Sequence, residues 1–598
     1  MIYSMLKIAV ALPAILLITG RMRGAQGSTK EYSIVITQPH AEYSIEVNGH
    51  MNPENVEVTI ENLGDRPVVN PRMTVNDLYD WYDVNSMLKE ILRGNETDQE
   101  KALAIWSWVQ TKRWQRSPHD DSAIRPVRGL NGYGYGICGH TAAWVSSLGR
   151  AAGLKTRVWE LTGHTVAEVY FDGGWHMFDG NAKTFYLGRD NQTIASVESL
   201  AHDKWLIERT IHPTDAWFRG PDVPGRNELY KHFLITDRDN WVSDGYDSEF
   251  SKNCNMSLTL RPGEKLVRFW QPVLGKFEGR DKDPEVPDKY ANGQLIWEPD
   301  TRTIDMKEYI DADPWGNITT RGQDGRNPAI HIATLQNGES YESPSRFDLN
   351  FHSPYPIVGA HLWCTLVKEG SSGLDKARVL FGENHAIYNF QSNNKAKTVE
   401  LDLDSNILKQ GVIYDYSLQF AFRGNANSIP PTQAGLDSLR AVTDLQVAPD
   451  SLPALSLGKN VIHYWNESTG AQRVRITYKW REANDRPAGQ VTAILSPPNG
   501  AQVANLAPIL KWSAPANSAS TNRAVDYQVM ICSKPDCRWP LSPTLYRNVG
   551  SDRAEWNVPA TFLNVATTYY WKVRGRSSDG GIGAWSRVFS FATSKDAK

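Results

Sequence analysis

One stretch of the chain contains a cysteine, a histidine and an aspartate at spacings that favour nucleophilic chemistry. Cys138 lies where a glycine-rich loop, residues 129–139, meets a predicted helix over 141–152. The unpaired N–H groups and the positive dipole end of a helix N-terminus lower the pKa of a thiol placed there. The glycines allow backbone N–H groups to approach a substrate carbonyl, so the Cys138 amide is a candidate oxyanion-hole donor. The alternative is a small, buried and unreactive cysteine.

The histidine and the aspartate lie on a predicted β-hairpin over 164–179. Asp172-Gly173 is typical of a two-residue type I′ turn, which places Val166 opposite Asp179. His164 lies on the same face as Val166, because side chains alternate along a strand. His164 and Asp179 are then diagonal neighbours about 7–8 Å apart, a separation that an imidazole and a carboxylate can bridge. An exposed polar face of the hairpin is the alternative interpretation.

Together the three residues have assignable roles. Cys138 attacks a carbonyl carbon and forms a thioester, and His164 accepts the thiol proton and later protonates the leaving amine. Asp179 holds the tautomer of His164 and supports the imidazolium.

The same run resembles the core of the transglutaminase-like superfamily, over about residues 75–200. The family pattern is G-x-C-x-x-x-A, then G-[LI]-x-x-R, then H-x-x-x-E-V-Y and G-x-W-x-x-x-D. The matching residues are Gly136, Cys138 and Ala142; Gly153, Leu154 and Arg157; His164, Glu168, Val169 and Tyr170; and Gly174, Trp175 and Asp179. The resemblance implies a papain-like α+β fold and a Cys138, His164, Asp179 triad. The resemblance predicts the fold of this segment more specifically than it predicts the substrate.

Several neighbouring residues are candidates for substrate binding. Tyr133 and Tyr135 lie on the glycine loop, and His140, in the first turn of the helix, departs from the family pattern, as does Thr165 after the histidine. Glu168 and Trp175 share the His164 face of the hairpin. His176 is predicted on the opposite face, with a structural role.

The hypotheses for function belong to different classes. The first is a cysteine-dependent amide hydrolase or acyltransferase that acts on peptide, cell-wall peptide or glycopeptide. The second is a uronate lyase or glycosidase that uses the same cleft without a thiolate, with Arg128 as the cation and His164, His140, Tyr133 and Tyr135 as acid and base. The third is a binding protein with a vestigial cleft, which the intact triad spacing disfavours.

The remaining sequence predicts an α+β multidomain protein. We expect a signal peptide at 1–27, an N-terminal β segment at 28–75 and a catalytic domain at 76–245. A β-sandwich region at 246–485 and a module at 490–598 that resembles a fibronectin type III domain follow. A capping box at Thr97 and Glu100 opens a helix in the catalytic domain.

Composition limits the partners. With 64 Lys and Arg against 67 Asp and Glu, the net charge is −3 and there is no basic tail, which argues against nucleic-acid binding. The apolar run at 8–19 is followed by small residues up to Gly27, which favours export over a stable membrane anchor. An extracellular peptide, cell-wall or polysaccharide substrate fits this location, and no metal or cofactor motif is found. Of the five cysteines, Cys532 and Cys537 are expected to pair, Cys254 and Cys364 are a possible second pair, and Cys138 remains free.

Overall fold

The computed structural model describes most of the chain. The described residues are 28–93, 97–161, 163–210, 241–243, 254–271, 292–312, 318–325, 327–332, 345–368, 376–382, 385–390, 396–423, 434–483, 493–513, 524–550, 554–577 and 582–598. The predicted signal peptide lies outside them. Within these ranges no helix is both long and apolar enough to cross a membrane.

Strands outnumber helices in the described ranges. The helices are α1 (Val84–Leu92), α2 (Asp98–Thr111), α3 (Pro126–Arg128), α4 (Cys138–Ala151), α5 (Val197–His202), α6 (Trp205–Glu208), α7 (Arg321–Asp324) and α8 (Asp404–Gln410). The strands are β1 (Thr29–Ile36), β2 (His40–Val47), β3 (Met51–Asn62), β4 (Val68–Val69), β5 (Arg72–Val75), β6 (Trp114–Gln115), β7 (Tyr135–Gly136), β8 (Lys155–Leu161), β9 (His164–Phe171), β10 (Gly174–Phe178), β11 (Trp241–Ser243), β12 (Thr259–Leu260), β13 (Glu264–Phe269), β14 (Gly293–Trp297), β15 (Asp311–Ala312), β16 (Ile318–Thr320), β17 (Ile330–Ile332), β18 (Ser345–Lys368), β19 (Lys376–Phe381), β20 (His385–Phe390), β21 (Ala396–Asp402), β22 (Ile413–Arg423), β23 (Ala434–Leu445), β24 (Gly458–Trp465), β25 (Val474–Ala483), β26 (Ile494–Ser496), β27 (Ala501–Val503), β28 (Ile509–Trp512), β29 (Ala524–Cys532), β30 (Tyr546–Gly550), β31 (Glu555–Asn557), β32 (Thr568–Ser577) and β33 (Phe589–Thr593).

The N-terminal strands and the middle β region share one large sheet. Its order is β1, β25, β3, β13, β14, β23, β18, β22, β19, β20. Strand β2 pairs with β24, which in turn pairs with β5, in a second sheet. The apolar side chains of alternate positions, such as Ile45 and Val47, are buried between these layers. Strands of the predicted N-terminal segment at 28–75 therefore share sheets with strands of the predicted region at 246–485, because strand pairing joins segments that lie far apart along the chain.

The block that carries Cys138 combines helices with a small antiparallel sheet. The capping box predicted at Thr97 and Glu100 is present at the start of α2. Helix α4 packs against β8 and β9, in a sheet with the order β10, β9, β8, β11. Apolar side chains of α1, α2 and α4 form a hydrophobic core with this sheet.

The last module consists of two small sheets around buried tryptophans. The sheets have the orders β26, β28, β31 and β27, β33, β32, β29, β30, and Trp512 and Trp571 are buried. The expected disulfide between Cys532 and Cys537 is present. The suggested pairing of Cys254 with Cys364 is wrong, because the two buried thiols belong to different hydrophobic cores and both are free.

Candidate active site

Cys138 is the first residue of helix α4. Ile137 precedes it with extended backbone and supplies no side-chain cap. Helices leave their first N–H groups without a partner inside the helix, so this end is electropositive and favours an anionic sulfur. Cys138 is partly exposed, whereas the other free thiols, Cys254 and Cys364, are buried.

The glycines before Cys138 make room for other parts of the protein. A Cβ on Gly132 would lie 2.8 Å from the ring of Pro356. Gly134 has a φ of +64°, and a Cβ there would lie 3.0 Å from Ala448. Both neighbours belong to the middle β region. We expected these glycines to let backbone N–H groups approach a substrate, but at these two positions the β region fills the space.

His164 and Asp179 form a direct pair across the hairpin. Strands β9 and β10 pair Phe178 with Ala167, which is the predicted register and puts Val166 opposite Asp179. The Nε2 atom of His164 lies 2.7 Å from Oδ2 of Asp179, and both side chains are buried. Because Nε2 is bound to Asp179, Nδ1 is the ring atom available to the sulfur of Cys138, and the imidazole and the thiol influence each other's pKa.

The carboxylate of Asp179 is held by the chain that follows it. Its Oδ1 accepts hydrogen bonds from the backbone N–H groups of Asn181 at 2.8 Å and Ala182 at 2.7 Å. The indole of Trp106 in α2 donates to the Asp179 carbonyl at 3.0 Å. Helix α2 thereby fixes the loop that presents the carboxylate to His164.

The charges of the three residues support one another. Burial acts to lower the pKa of His164, but the charge and hydrogen bond of Asp179 outweigh it and raise this pKa to about 9. Burial acts to raise the pKa of the Cys138 thiol. The hydrogen bond and charge of His164, with the N–H groups of Gly139 and Thr165, hold that pKa below its usual value. The pair is therefore suited to a thiolate beside an imidazolium at neutral pH.

Two of the predicted binding residues are not in an open cleft. Tyr133 and Tyr135 are each 1% exposed. The hydroxyl of Tyr133 donates to Asp120 at 2.9 Å, and the hydroxyl of Tyr135 accepts from Gln446 at 3.0 Å. The expectation that these tyrosines contact substrate is wrong for this structure, because the middle β region covers the loop that carries them.

His140 and Arg128 are the next two predicted binding residues. Burial lowers the pKa of His140 to about 4, so its imidazole is neutral at pH 7, and its Nδ1 has no hydrogen-bond partner in the described ranges. The guanidinium of Arg128 lies 3.9 Å from the ring centre of Tyr414, which reaches in from the β region and donates to Asp120. His140 remains a candidate to bind substrate in the cleft. Arg128 instead stacks against Tyr414 of the middle β region.

The hairpin residues far from its histidine end have structural contacts. Glu168 is fully buried and accepts hydrogen bonds from Arg157 and Trp159, each at 2.6 Å, and from the Val197 N–H. Its predicted role in the cleft is therefore wrong, because all of its contacts lie within the protein. Trp175 packs beside Arg157, which lies 4.1 Å from its ring centre. His176 is buried and bound to the carbonyls of Ile194 and Phe171, as expected of a structural residue on the opposite face.

Arg113, which no sequence motif indicated, connects the loop before Cys138 with the loop after Asp179. It is fully buried, and its guanidinium donates to the Gly136 carbonyl at 3.1 Å and to the carbonyls of Gly180 and Asn181 at 2.7 and 2.9 Å. A signal for it exists in the sequence. Arg113 follows Trp106 by seven positions and so continues the apolar spacing of α2 just beyond the end of that helix, where an arginine is unusual.

One group of side chains in the described ranges has ligand atoms close enough to hold a cation. His361, Asp404 and Asp444 have such atoms within 4.8 Å of one another. They belong to the middle β region, and the chemistry proposed below does not involve them.

The comparisons with known proteins support a local resemblance. Residues 85–180 match the family model described as the transglutaminase-like superfamily. No protein of curated function matches the chain.

Solved structures show only low similarity to this chain. The FN1–FN3 domains of chicken CNTN1 show 11% identity over 42% of this chain and 63% of theirs, with a TM-score of 0.16. A β-1,2-glucanase from Parabacteroides distasonis shows 10% identity over 48% of this chain and 37% of its own, with a TM-score of 0.13. The adhesin domain of Epf from Streptococcus pyogenes shows 9% identity over 48% of this chain and 93% of its own, with a TM-score of 0.12. The segment that holds Cys138, His164 and Asp179 is thus the part of this chain that matches the transglutaminase-like superfamily.

Proposed function

We propose that this protein is a cysteine-dependent amide hydrolase or acyltransferase with Cys138, His164 and Asp179 as its catalytic triad. The observation that carries the proposal is the position of His164, which lies 2.7 Å from Asp179 and interacts electrostatically with the Cys138 thiol. The match of this segment to the transglutaminase-like superfamily supports a papain-like core for the same residues.

The first half-reaction forms a thioester. The Cys138 thiolate attacks the carbonyl carbon of an amide, and the carbonyl π electrons move onto oxygen. The N–H of Cys138 lies at the first helical position, where the helix offers it no partner, and is the proposed donor to that oxyanion. As the C–N bond breaks, the imidazolium of His164 protonates the departing amine, and Asp179 keeps the ring oriented.

The second half-reaction releases the acyl group. Neutral His164 accepts a proton from water or from an acceptor amine, which attacks the thioester carbonyl and expels the Cys138 thiolate. Water yields an acid and completes a hydrolysis, whereas an amine yields a new amide and completes a transfer. His164 regains the proton in this step, so the resting ion pair is restored.

The substrate class and location are part of the proposal. We propose an exported enzyme that acts on peptide, cell-wall peptide or glycopeptide, with a catalytic domain at 76–245 and accessory β domains at 246–485 and 490–598. The leader-like sequence before residue 28 supports export. The lyase or glycosidase hypothesis loses support because Tyr133 and Tyr135 are buried and their hydroxyls are hydrogen bonded within the protein.

The test compares the wild-type chain with Cys138→Ala, with His164→Ala and with the control Cys364→Ala. The control removes a buried thiol whose pKa burial raises to about 12. Each protein is incubated with casein, peptidoglycan or an acidic polysaccharide, and released amine, incorporation of a labelled amine and unsaturated-uronate absorbance are measured. We expect amide turnover that Cys138→Ala abolishes and Cys364→Ala retains. Uronate absorbance that survives Cys138→Ala but not His164→Ala would overturn the thioester mechanism.

A further inference from the structure

The loop that leads into Cys138 and the loop that follows Asp179 meet at one buried arginine. The first loop carries Gly136, two residues before Cys138, and the second begins directly after Asp179. The Nη1 atom of Arg113 donates to Gly136, and its Nη2 atom donates to both Gly180 and Asn181. Nη1 also donates to the side chain of Gln115 at 2.5 Å.

These four hydrogen bonds have a geometry that few side chains can supply. The guanidinium is planar and rigid, with donors that point in fixed directions, whereas a lysine ammonium is a compact charge on a flexible stem. A fully buried cation loses its hydration, and hydrogen bonds to neutral oxygens compensate only part of that cost. The placement of Arg113 is therefore better explained by the spacing it enforces than by the stability it contributes.

Packing also holds these elements together, because α4, which begins at Cys138, packs against β9, which begins at His164, and Gly180 lies against Thr141 of α4. The hydrogen bonds of Arg113 act between the two loops themselves. Among the contacts described here, Arg113 is the side chain that hydrogen bonds to both loops. Among titratable groups, His140 interacts electrostatically with Arg113, and Asp120 and Asp121 act on the same imidazole.

We propose that Arg113 is a positioning residue that sets the distance between Cys138 and the His164–Asp179 pair. The inference rests on the function proposed above. A shift of one loop by about 1 Å can lower turnover about 100-fold, because the proton-transfer and attack geometries are lost together. The same shift separates the sulfur from the imidazole, so the thiol loses the interaction that favours its thiolate.

The experiment measures the rate at which iodoacetamide alkylates Cys138 in the full chain as a function of pH, with the site of modification identified by peptide mass. The variants are Arg113→Gln and Arg113→Lys. The matched control is Arg209→Gln, because Arg209 also donates four hydrogen bonds to neutral oxygens, those of Asn191, Leu187, Gly188 and Thr561, away from the triad. This readout needs no substrate.

We expect both Arg113 variants to move the midpoint of the alkylation profile toward that of an ordinary thiol and to slow alkylation at pH 6.5 about tenfold. The control should keep the wild-type profile. A wild-type profile in folded Arg113→Gln overturns the inference, as does full rescue by Arg113→Lys, which would show that charge alone suffices. Loss of folding in both Arg113 variants, with a folded control, would show a structural role and also overturn it. An ordinary thiol profile in the wild-type chain would instead contradict the proposed function.

Discussion

The pairing of His164 with Asp179 makes a strong prediction for the substitution Asp179→Asn. The amide oxygen of asparagine can still accept from the N–H groups of Asn181 and Ala182, so the loop should keep its shape. Its NH2 group, however, takes the place of the oxygen that faces His164. That NH2 donates to Nε2 and leaves the proton on Nδ1, so the imidazole cannot accept the proton of Cys138. The loop thus survives while the chemistry is lost.

The size of the effect follows from the pKa of His164. Asp179 is the main cause that raises this pKa from 6.5 to about 9, and in its absence burial lowers it instead. His164 is then neutral at pH 6.5, and the Cys138 thiol loses the charge and hydrogen bond that lower its pKa, so that much less of it is thiolate. A more basic thiolate is also more nucleophilic, which offsets part of this loss. Alkylation of Cys138 at pH 6.5 should therefore slow about tenfold, and amide turnover should fall about 10³-fold or more.

The assay is iodoacetamide alkylation of Asp179→Asn between pH 5 and 10, with thermal unfolding as the check on folding. Asp190→Asn is the matched control, because Asp190 also uses Oδ1 to accept the N–H groups two and three residues onward but has no histidine partner. We expect the Asp179 variant to react more slowly at pH 6.5 and the control to behave as wild type. A folded Asp179→Asn protein with the wild-type pH profile would refute the reasoning, and so would the same loss in the control.

Three further predictions follow from the described contacts. With increasing pH, kcat/KM should first rise as Cys138 ionises, with a pKa below that of an ordinary thiol, and should fall above about pH 9 as the imidazolium of His164 loses its proton. A pH–rate profile that does not fall at high pH would contradict the ion pair. Glu168→Ala should cost about 3–5 kcal/mol of unfolding free energy, because it leaves the largely covered Arg157 without its carboxylate partner. Folded protein should keep the Cys138 alkylation profile, so denaturant unfolding tests the first expectation and alkylation the second. Gly132→Ala should lower the free energy of unfolding by about 1–3 kcal/mol and reduce the melting temperature, because the new Cβ would lie 2.8 Å from the Pro356 ring. An unchanged melting temperature would show that the ring moves aside at little cost.

The sequence determined the parts of the site that depend on local rules. The helix that begins at Cys138 follows from a glycine loop ahead of an amphipathic stretch, and the Asp172-Gly173 turn sets the hairpin register. Strand alternation then puts His164 and Asp179 on one face, within reach of each other. A motif with several parts at constant spacing adds the family resemblance, which the match over 85–180 agrees with.

Only the tertiary structure decided which residues contact each side chain around the site. The sequence places Tyr135 on the glycine loop and Glu168 on the hairpin, but periodicity cannot tell that Gln446 binds the first and Arg157 the second. The same limit hid Arg113, because its acceptors lie on two loops that approach only when the chain is folded. Local patterns specify which way a side chain points. The neighbour it meets depends on packing between segments that lie from 11 to 311 residues apart in these examples, which a local pattern does not record.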